Sequence, residues 1–473
     1  MVTTAPGRDA APFVTFCVLF ALIVFLPALL NDGDTLWQIR TGEWILDHRA
    51  IPTTDPFSFT AAGRHWFAHE WLAETLMALA FRAAGMPGVM VLAAGATALT
   101  GAVMMRYLRH FLIGMHAVLC LAVGLVNAAP SMLARPHLLA WPCLVIWCVG
   151  LLDARARRAV PSLWLLLVIV LWVNLHGSFV VGLLLPVPLM IEAIWDARGQ
   201  GQQALRGWGG FIAAAWVAAL CNPDTVGGVL FPFHHIGMQS LTMIKEWQPV
   251  TFSALEPLEL TILAGLAAGL SGHIKVPPLR VAMLLTMVHG ALTHARNEQL
   301  LGLIGVLLLA EPIGLALARP ILSGKPLGPA WRTAAAAGLL IALTGRLIVP
   351  VDPDQSGEGF AALINRVPAE VRARPVLNEY GFGGNLIFAG VRPFIDSRAD
   401  LYGDAFLQDY RAIAAADPTA LAQVLAARDI VWAVFPMGHP VVAALEHTPG
   451  WRRFSKAGDV VVLVRADAMP KGM

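Results

Sequence analysis

Apolar runs of helical length recur along the first 350 residues, and this recurrence restricts the fold more than any other feature does. A first run at about 13–30 is followed by eleven others, at about 66–84, 87–105, 111–128, 136–152, 161–174, 178–195, 211–221, 258–272, 281–295, 299–315 and 333–349. A helix needs about 20 apolar residues to cross the hydrocarbon core of a bilayer. The pattern therefore predicts an α-helical polytopic membrane protein.

Composition agrees with a membrane location. Apolar residues supply 57% of the chain and charged residues only 14%, so the excess apolar surface needs membrane lipid around it. The 33 Lys and Arg residues nearly balance the 31 Asp and Glu residues, which excludes a basic nucleic-acid-binding protein. The five cysteines lie in apolar runs without zinc-ligand spacing, so we expect no disulfide framework. Since no small-residue cleavage site follows the first run, we expect a retained span rather than a removed signal peptide.

Clusters of Lys and Arg in the short loops predict the orientation, because positive residues stay on the cytoplasmic side. The clusters are Arg155, Arg157 and Arg158; Arg198 and Arg206; Lys275 and Arg280; and Arg319, Lys325 and Arg332. Each follows a pair of apolar runs, so residues from 351 onward and the turn at 135–137 are predicted outside the cytoplasm, as is the loop 31–65 if the N-terminus is inside. Three runs separate that loop from that turn, although parity requires an even number of crossings. We therefore expect eleven spans, with one of the runs at 66–84, 87–105 and 111–128 failing to cross.

Two segments depart from the membrane pattern. The loop 31–65 is polar, and within it residues 35–48 have the pattern of an amphipathic helix that lies in the membrane interface and forms a wall of a lipid-facing site. Residues 351–473 hold 14 acidic and 12 basic residues, a charge density typical of a water-soluble domain. We therefore predict a multi-pass domain at 1–350 and a soluble domain at 351–473.

The soluble domain is predicted to be mixed α/β. Short apolar runs predict strands at 375–377, 393–395, 430–435 and 460–464. A helix is predicted at 418–427 with Asp417 as its N-cap, and a hairpin turn at 457–459. The glycine-rich segment 381–385 is unsuited to a helix interior and lacks the Lys-Ser/Thr of a phosphate loop. The segment 396–400 follows a predicted strand and is either a ligand contact or an Asp/Arg turn paired with itself, of which we favour the paired turn.

The most distinctive motif is Asn-Asp-Gly-Asp-Thr-Leu-Trp at 31–37, where the first span ends. Two carboxylates one residue apart, Asp32 and Asp34, can share a divalent cation such as Mg²⁺ or Mn²⁺. Alternatively, one acts as a general base while the other orients it. A third interpretation makes Asp34 only the N-cap of the interfacial helix.

A second motif, Trp-Phe-Ala-His-Glu-Trp at 66–71, opens the next apolar run. His69 serves equally well as a functional group or as an interface anchor beside the tryptophans. Glu70 and Glu74 share a helix face, and Glu74 falls inside the apolar run. Burial of an ionisable group at membrane depth costs at least about 2.5 kcal/mol, which favours a functional role.

Further polar residues are predicted on the outer side. Taken singly, each cation is better explained as a headgroup anchor, and the turn holding His176 as a helical hairpin. As a set they favour a polyanionic ligand. We predict catalytic roles for Asp34, Asp32 and Glu70. The predicted substrate-binding residues are Trp37, Arg40, His69, Arg135, His137, His176, Lys245, Glu246, Arg296 and Asn297.

Together, the acidic loop after the first span, the interfacial helix, the Trp-His-Glu-Trp motif, the outer arginine and the C-terminal soluble domain resemble the GT-C superfamily. Those proteins are multi-pass glycosyltransferases that use polyprenyl-phosphate sugars, such as protein O-mannosyltransferases and lipid A aminoarabinose transferases. The segment 32–71 also resembles bacterial multi-pass proteins of this layout that have no named activity. The O-mannosyltransferase branch has adjacent acidic residues after its first span, whereas Gly33 separates Asp32 from Asp34 here. Which aspartate takes the catalytic role is therefore open.

The resemblance implies an inverting glycosyltransferase of a bacterial inner membrane with its C-terminal domain in the periplasm. It implies a polyprenyl-phosphate-linked sugar donor and a glycan, lipid or protein acceptor at the outer face. Asp34 would be the base or a metal-linked carboxylate and Asp32 its helper. Two other classes fit the sequence: a transporter or flippase of a lipid-linked glycan, because intramembrane charge also serves transport, and a non-catalytic envelope-assembly protein.

Overall fold

The computed structural model describes residues 9–197, 199, 201–317, 329–352 and 357–470. Arg198, Arg319 and Lys325 of the predicted basic clusters lie outside these described residues. Helices account for most of the chain, with one small sheet near the C-terminus. The predicted class, a polytopic helical protein with a C-terminal α/β domain, is confirmed.

Fourteen helices precede residue 350 among the described residues. They are α1 (Ala11–Ile23), α2 (Asp34–His48), α3 (Trp71–Leu108), α4 (Gly114–Ala128), α5 (Pro136–Ala156), α6 (Leu165–Leu175), α7 (Phe179–Leu184), α8 (Pro186–Asp196), α9 (Gly201–Ala219), α10 (Val226–Ile236), α11 (Pro257–Leu270), α12 (Pro278–Thr293), α13 (Glu298–Ala316) and α14 (Pro329–Ile348).

Five helical segments of the described chain are long and apolar enough to cross a bilayer. They are Trp71–Leu108, Gly114–Ser131, Pro136–Ala156, Phe179–Asp196 and Ala295–Ala316. Shorter apolar helices occupy most of the other predicted runs. The number of crossings, eleven, stays a prediction.

A kink divides α3 and bears on which run fails to cross. Ala84 has φ −152° and Gly85 has φ +62°, so the helical backbone is interrupted there. The part before the kink, 71–83, is about 20 Å long at 1.5 Å per residue, which is shorter than the hydrocarbon core of about 30 Å. The kink separates the run at 66–84 from the run at 87–105, and the failure of one of the three runs to cross stays a prediction.

The chain divides into two compact units. The first unit comprises Met1–Leu26, Met90–Pro232 and Thr242–Val349, and the second comprises Pro27–Val89, Phe233–Leu241 and Pro350–Met473. The second unit thus adds the loop after the first run and the start of α3 to the C-terminal segment that the sequence predicts as a separate domain.

Small residues allow close helix packing within the first unit. A Cβ on Gly302 of α13 would lie 2.6 Å from the carbonyl oxygen of Gly124 of α4. Only glycine lets the two backbones approach this closely, as is common between membrane helices.

The second unit contains the remaining helices and the sheet. The helices are α15 (Glu358–Asn365), α16 (Ala369–Arg372), α17 (Gly383–Phe388), α18 (Ala399–Ala414), α19 (Pro418–Ala427) and α20 (Pro440–Glu446). The strands are β1 (Val376–Asn378), β2 (Trp432–Pro436), β3 (Trp451–Ala457) and β4 (Val460–Arg465), in the order β1-β2-β4-β3. β1 is parallel to β2, whereas β4 is antiparallel to both of its neighbours.

Several local predictions for the C-terminal segment are confirmed. The helix α19 begins and ends as predicted, and the Asp417 carboxylate accepts hydrogen bonds from the amides of Thr419 and Ala420. The hairpin turn between β3 and β4 is present, with Gly458 at φ +52°.

One strand prediction is wrong, and one strand of the sheet was not predicted. No strand forms at 393–395, because the side chain of Asn378 pairs with this backbone in place of a neighbouring strand: it accepts from the Phe394 amide at 2.8 Å and donates to the Ile395 carbonyl at 2.8 Å. Conversely, β3 has no predicted counterpart. It is an edge strand whose side chains are mostly exposed, and its register is irregular between Arg453 and Ser455. Its sequence therefore has no regular apolar alternation that would predict a strand.

Candidate active site

The Asp32–Asp34 turn begins helix α2 in the second unit. The Asp32 carboxylate accepts a hydrogen bond from the Asp34 backbone amide at 2.8 Å. Gly33 occupies the N-cap position, and Asp32, one residue earlier, caps the first helical amide, so Asp34 is not the N-cap that one interpretation of the sequence made it. Asp34 is the first helical residue, where the partial positive charge of the helix N-terminus favours a carboxylate.

The Asp34 carboxylate is held from the C-terminal segment. The Ser397 hydroxyl donates a hydrogen bond to Asp34 Oδ1. Trp37 Nε1, one turn along α2, donates to Ser397 Oγ at 3.0 Å and lies 3.4 Å from Asp34 Oδ1. A serine hydroxyl and an indole N–H thus orient one carboxylate oxygen, which is the arrangement expected for a group that must receive a proton in a fixed direction.

An adjacent buried ion pair fixes the position of Ser397. Arg398 donates two parallel hydrogen bonds to Asp396, Nε to Oδ1 at 2.8 Å and Nη2 to Oδ2 at 2.7 Å. Its Nη1 donates to Asp55 at 2.8 Å. The arginine side chain is 1% exposed and both carboxylates are 0% exposed. Burial alone would lower the pKa of Arg398, but Asp396 and Asp55 outweigh it, so the pKa is raised and the charge is retained.

Aromatic rings complete the surroundings of this arginine. The guanidinium lies 4.7 Å from the ring centroid of Trp66, 5.4 Å from that of Phe57 and 5.8 Å from that of Trp37. The paired Asp/Arg turn favoured for 396–400 is therefore present. The ion pair between Arg398 and Asp55 was not predicted, because the two residues are more than 300 positions apart in the sequence.

Glycines bring the two segments together. A Cβ on Gly384 would lie 2.1 Å from the Gly33 carbonyl oxygen, and one on Gly383 would lie 2.4 Å from the Asp396 backbone. This glycine-rich segment forms a 3₁₀ turn at Tyr380–Phe382 and the first turn of α17, so its glycines lie at the start of a helix and not in a helix interior. Its glycines allow backbone-to-backbone packing against both the Asp32–Asp34 turn and the Asp396 turn.

A second cluster of acidic residues lies at the start of α3. Glu70 directly precedes the helix, and His69 Nε2 is 3.6 Å from Glu70 Oε1. Glu74 is 1% exposed, and its Oε2 has no hydrogen-bond partner among the described residues. Burial raises the pKa of the nearby Asp400, while the positive charges of His69 and Arg398 act in the opposite direction.

Arg40, predicted to bind substrate, has structural partners. Its guanidinium pairs with Glu43 at 2.6 Å, donates to the Phe388 carbonyl at 2.7 Å and lies 4.6 Å from the Phe388 ring centroid. These contacts attach α2 to the C-terminal end of α17.

In the first unit, three of the predicted outer residues come together. Glu246 bridges two arginines, with Arg135 Nη1 at 3.2 Å and Arg296 Nη1 at 3.4 Å from its two oxygens. The Arg296 guanidinium also lies 4.3 Å from the Trp247 ring centroid. Burial raises the pKa of Glu246, but the positive charges of Arg135 and Arg296 outweigh this effect. The pKa is therefore lowered overall and the carboxylate stays ionised. The three residues Arg135, Glu246 and Arg296 together carry one net positive charge, with both guanidinium groups held by the same carboxylate.

The two predicted histidines lie near each other in the same unit. His137 Nε2 is 2.6 Å from the Ser131 carbonyl oxygen, and its ring centroid is 5.9 Å from that of His176. His176 Nδ1 is 2.8 Å from the Ser178 hydroxyl. His176 therefore takes part in the turn between α6 and α7, as the hairpin interpretation expects.

The other two predicted residues do not take part in the Arg135–Glu246–Arg296 cluster. Lys245 is exposed. Asn297 donates to the Gly290 carbonyl at 3.2 Å near the end of α12, which is a helix-terminating contact.

The use of Asp32 and Asp34 as ligands of a divalent cation stays a prediction. Among the described residues, no group of three or more His, Cys, Asp or Glu side chains is placed to hold a metal ion. Asp32 and Asp34 both accept hydrogen bonds from protein groups.

Comparison with known proteins identifies the fold. No protein-family model matches the sequence, and no curated protein matches it either. Among solved structures, the chain is similar to ArnT from Cupriavidus metallidurans bound to undecaprenyl phosphate, with a TM-score of 0.53 and 12% identity over 96% of this chain and 98% of that chain. The likeness shows that the chain shares the fold of that structure, which confirms the predicted fold.

Proposed function

We propose that the protein is a glycosyltransferase of a bacterial inner membrane that takes a sugar from a polyprenyl-phosphate-linked donor. The acceptor is a glycan, lipid or protein at the outer face. The observation that carries this proposal is the GT-C fold over nearly the whole chain, shared with a protein whose structure holds undecaprenyl phosphate. The orientation of Asp34 by Ser397 and Trp37 supports it independently.

In the proposed reaction, an acceptor hydroxyl attacks the anomeric carbon as the bond from that carbon to the phosphate oxygen breaks. Asp34 takes the hydroxyl proton, the configuration inverts, and the polyprenyl phosphate leaves with the bonding electrons. Ser397 and Trp37 hold the carboxylate in position, and the Arg398 ion pair holds Ser397. This assignment gives the base role to Asp34 and a capping role to Asp32.

The two arginines of the first unit are suited to bind a phosphate group. Arg135 and Arg296 present guanidinium groups whose geometry matches phosphate oxygens. Glu246 sets their spacing and keeps the pair from moving apart, and Trp247 supports the Arg296 plane.

One observation favours a second function, the translocation of a lipid-linked glycan. Glu74 lies in an apolar helix, is almost completely buried and leaves one oxygen without a hydrogen-bond partner among the described residues. Buried carboxyl groups of this kind occur in transport pathways.

The test uses purified protein in proteoliposomes, with labelled polyprenyl-phosphate sugar on the outer face in one set and on the inner face in a second set. Wild type should form a covalent sugar–acceptor product, and Asp34→Asn should lower the rate by about 10²–10⁴, because an amide cannot accept the proton. Asp32→Asn is the matched control: it keeps a capping oxygen and should retain most activity. Wild-type turnover by Asp34→Asn would refute the assigned base, and label movement across the bilayer without product would favour the flippase.

A further inference from the structure

A second polar cluster lies in the first unit at the opposite end of α5 from Arg135. Arg135 directly precedes α5 and Arg155 lies in its last turn. Twenty residues at 1.5 Å per residue place the two arginines about 30 Å apart, the thickness of a bilayer core. Arg155 belongs to the basic cluster that the positive-inside rule assigns to the cytoplasmic side.

This inner cluster is a network of ion pairs centred on three buried side chains, Arg155, Glu192 and Arg280. Arg155 contacts Glu192 at 3.1 Å and Asp196 at 2.8 Å. Arg280 contacts Glu192 at 3.0 Å and Glu311 at 3.3 Å. The network joins α5, α8, α12 and α13 at one end of the unit.

A cavity of about 300 Å³ opens beside this network. Besides the five ion-paired residues, Arg158, Lys275 and Leu315 line it. The lining thus holds four cations and three carboxylates. Arg158 and Lys275 are exposed, and neither makes an ion pair with another described residue. The Nε–H of Arg155, a side chain 6% exposed, has no hydrogen-bond partner in the described chain. The cavity lining therefore has one more positive than negative charge, and several of its N–H donors make no hydrogen bond to the carboxylates of the network.

Apolar and aromatic side chains beside the cavity are exposed in the way that lipid-facing residues are. Leu315 at the cavity edge is 75% exposed, and Trp195, next to Asp196 at the end of α8, is 69% exposed. Tryptophan at such positions is typical of the level of the lipid headgroups. A polar cavity at the level of the lipid headgroups, with an apolar edge, suits a ligand that has an anionic head and an acyl tail.

We propose that this inner cavity binds a phosphate group, with a single negative charge that matches the single excess positive charge of its lining. The exposed leucine and tryptophan favour a phospholipid headgroup of the cytoplasmic leaflet as the source of the phosphate. Arg158 and Lys275 make the first contact, and the buried network supplies a fixed floor. This inference concerns a site remote from the proposed sugar transfer and does not depend on it.

The experiment compares full-length protein in nanodiscs of phosphatidylcholine alone and with phosphatidylglycerol added, and counts retained phosphatidylglycerol by native mass spectrometry. Wild type should retain one tightly held molecule, and the double variant Arg158→Ala/Lys275→Ala should bind it about thirtyfold more weakly. Arg157→Ala is the matched control, because Arg157 is exposed and adjacent but does not line the cavity. It should bind within about twofold of wild type.

A competition arm distinguishes the two sources of phosphate. Retention of phosphatidylglycerol in excess inorganic phosphate supports a headgroup site, and displacement supports a site for soluble phosphate. Thermal unfolding in phosphatidylcholine alone checks that the double variant is folded. Equal binding by wild type and the double variant would overturn the proposal, as would an equal loss in Arg157→Ala.

Discussion

The buried Arg398 ion pair should dominate the stability of the second unit. Replacing Arg398 by methionine leaves an apolar side chain of similar length among aromatic rings, but removes the counter-charge of Asp55 and Asp396. Both carboxylates have 0% exposed side chains, so water cannot solvate them. Removing one partner of a buried ion pair typically costs about 3–5 kcal/mol. We expect a loss of that size in the free energy of unfolding.

Two comparison variants separate charge from shape. Arg398→Lys keeps the charge but loses the two parallel hydrogen bonds to Asp396, so its loss should be smaller than that of Arg398→Met yet clearly measurable. Arg392→Met removes an exposed arginine of the same unit and should change stability by less than about 0.5 kcal/mol.

The assay is denaturant unfolding of the full chain in detergent, followed by tryptophan fluorescence. Trp37 and Trp66 lie within 6 Å of the Arg398 guanidinium, so they contribute to the emission change, which sums over the 15 tryptophans of the chain. If Arg398→Met unfolds like Arg392→Met, the ion pair does not hold the unit together and the positioning of Ser397 needs another explanation.

Three other outcomes follow from the proposed site. Ser397→Ala removes the hydroxyl that orients the Asp34 carboxylate, so it should lower kcat for sugar transfer about tenfold to a hundredfold. Ser397→Thr keeps a hydroxyl and should retain most of the activity. An unchanged kcat in Ser397→Ala would show that Ser397 is not part of the site. Arg135→Lys and Arg296→Lys should transfer sugar at reduced rates and the alanine variants hardly at all, whereas full activity with lysine would indicate simple headgroup anchors. A reporter fused after Val351 should be active in the periplasm and one fused after Arg157 in the cytoplasm, and reversed activity at both would contradict an outer-face reaction.

Periodicity and local capping were sufficient to predict much of the architecture. Apolar runs and lipid dimensions predict a polytopic helical protein, and Asp417 with the following proline defines α19 to the residue. These signals are local, since a helix is specified by residues within a few positions of each other.

The parts that could not be predicted depend on contacts between distant segments. The backbone at 393–395 is paired by Asn378, and the glycines of α17 are required by packing against Gly33. Neither contact leaves a periodic signal. Likewise, Asp34 could be selected as a candidate base from its spacing, but the hydroxyl that orients it, Ser397, is 363 residues away.

Spacing also left the roles within the Asp-Gly-Asp motif open. A carboxylate before a helix can cap it from either position, and only the backbone geometry shows that Asp32 accepts the Asp34 amide. The cluster of Arg135, Glu246 and Arg296 was predicted only to share one side of the membrane, because topology orders loops but does not bring them into contact.

The most direct test of the central claim measures two products of wild-type protein in the same proteoliposomes. Glycosylated acceptor and free polyprenyl phosphate are quantified together over time by mass spectrometry. Because the proposed single displacement breaks one sugar–phosphate bond for each glycosidic bond formed, the two products should accumulate in equal amounts. Sugar that appears on the opposite face while still attached to its lipid phosphate, with neither product formed, would contradict the account.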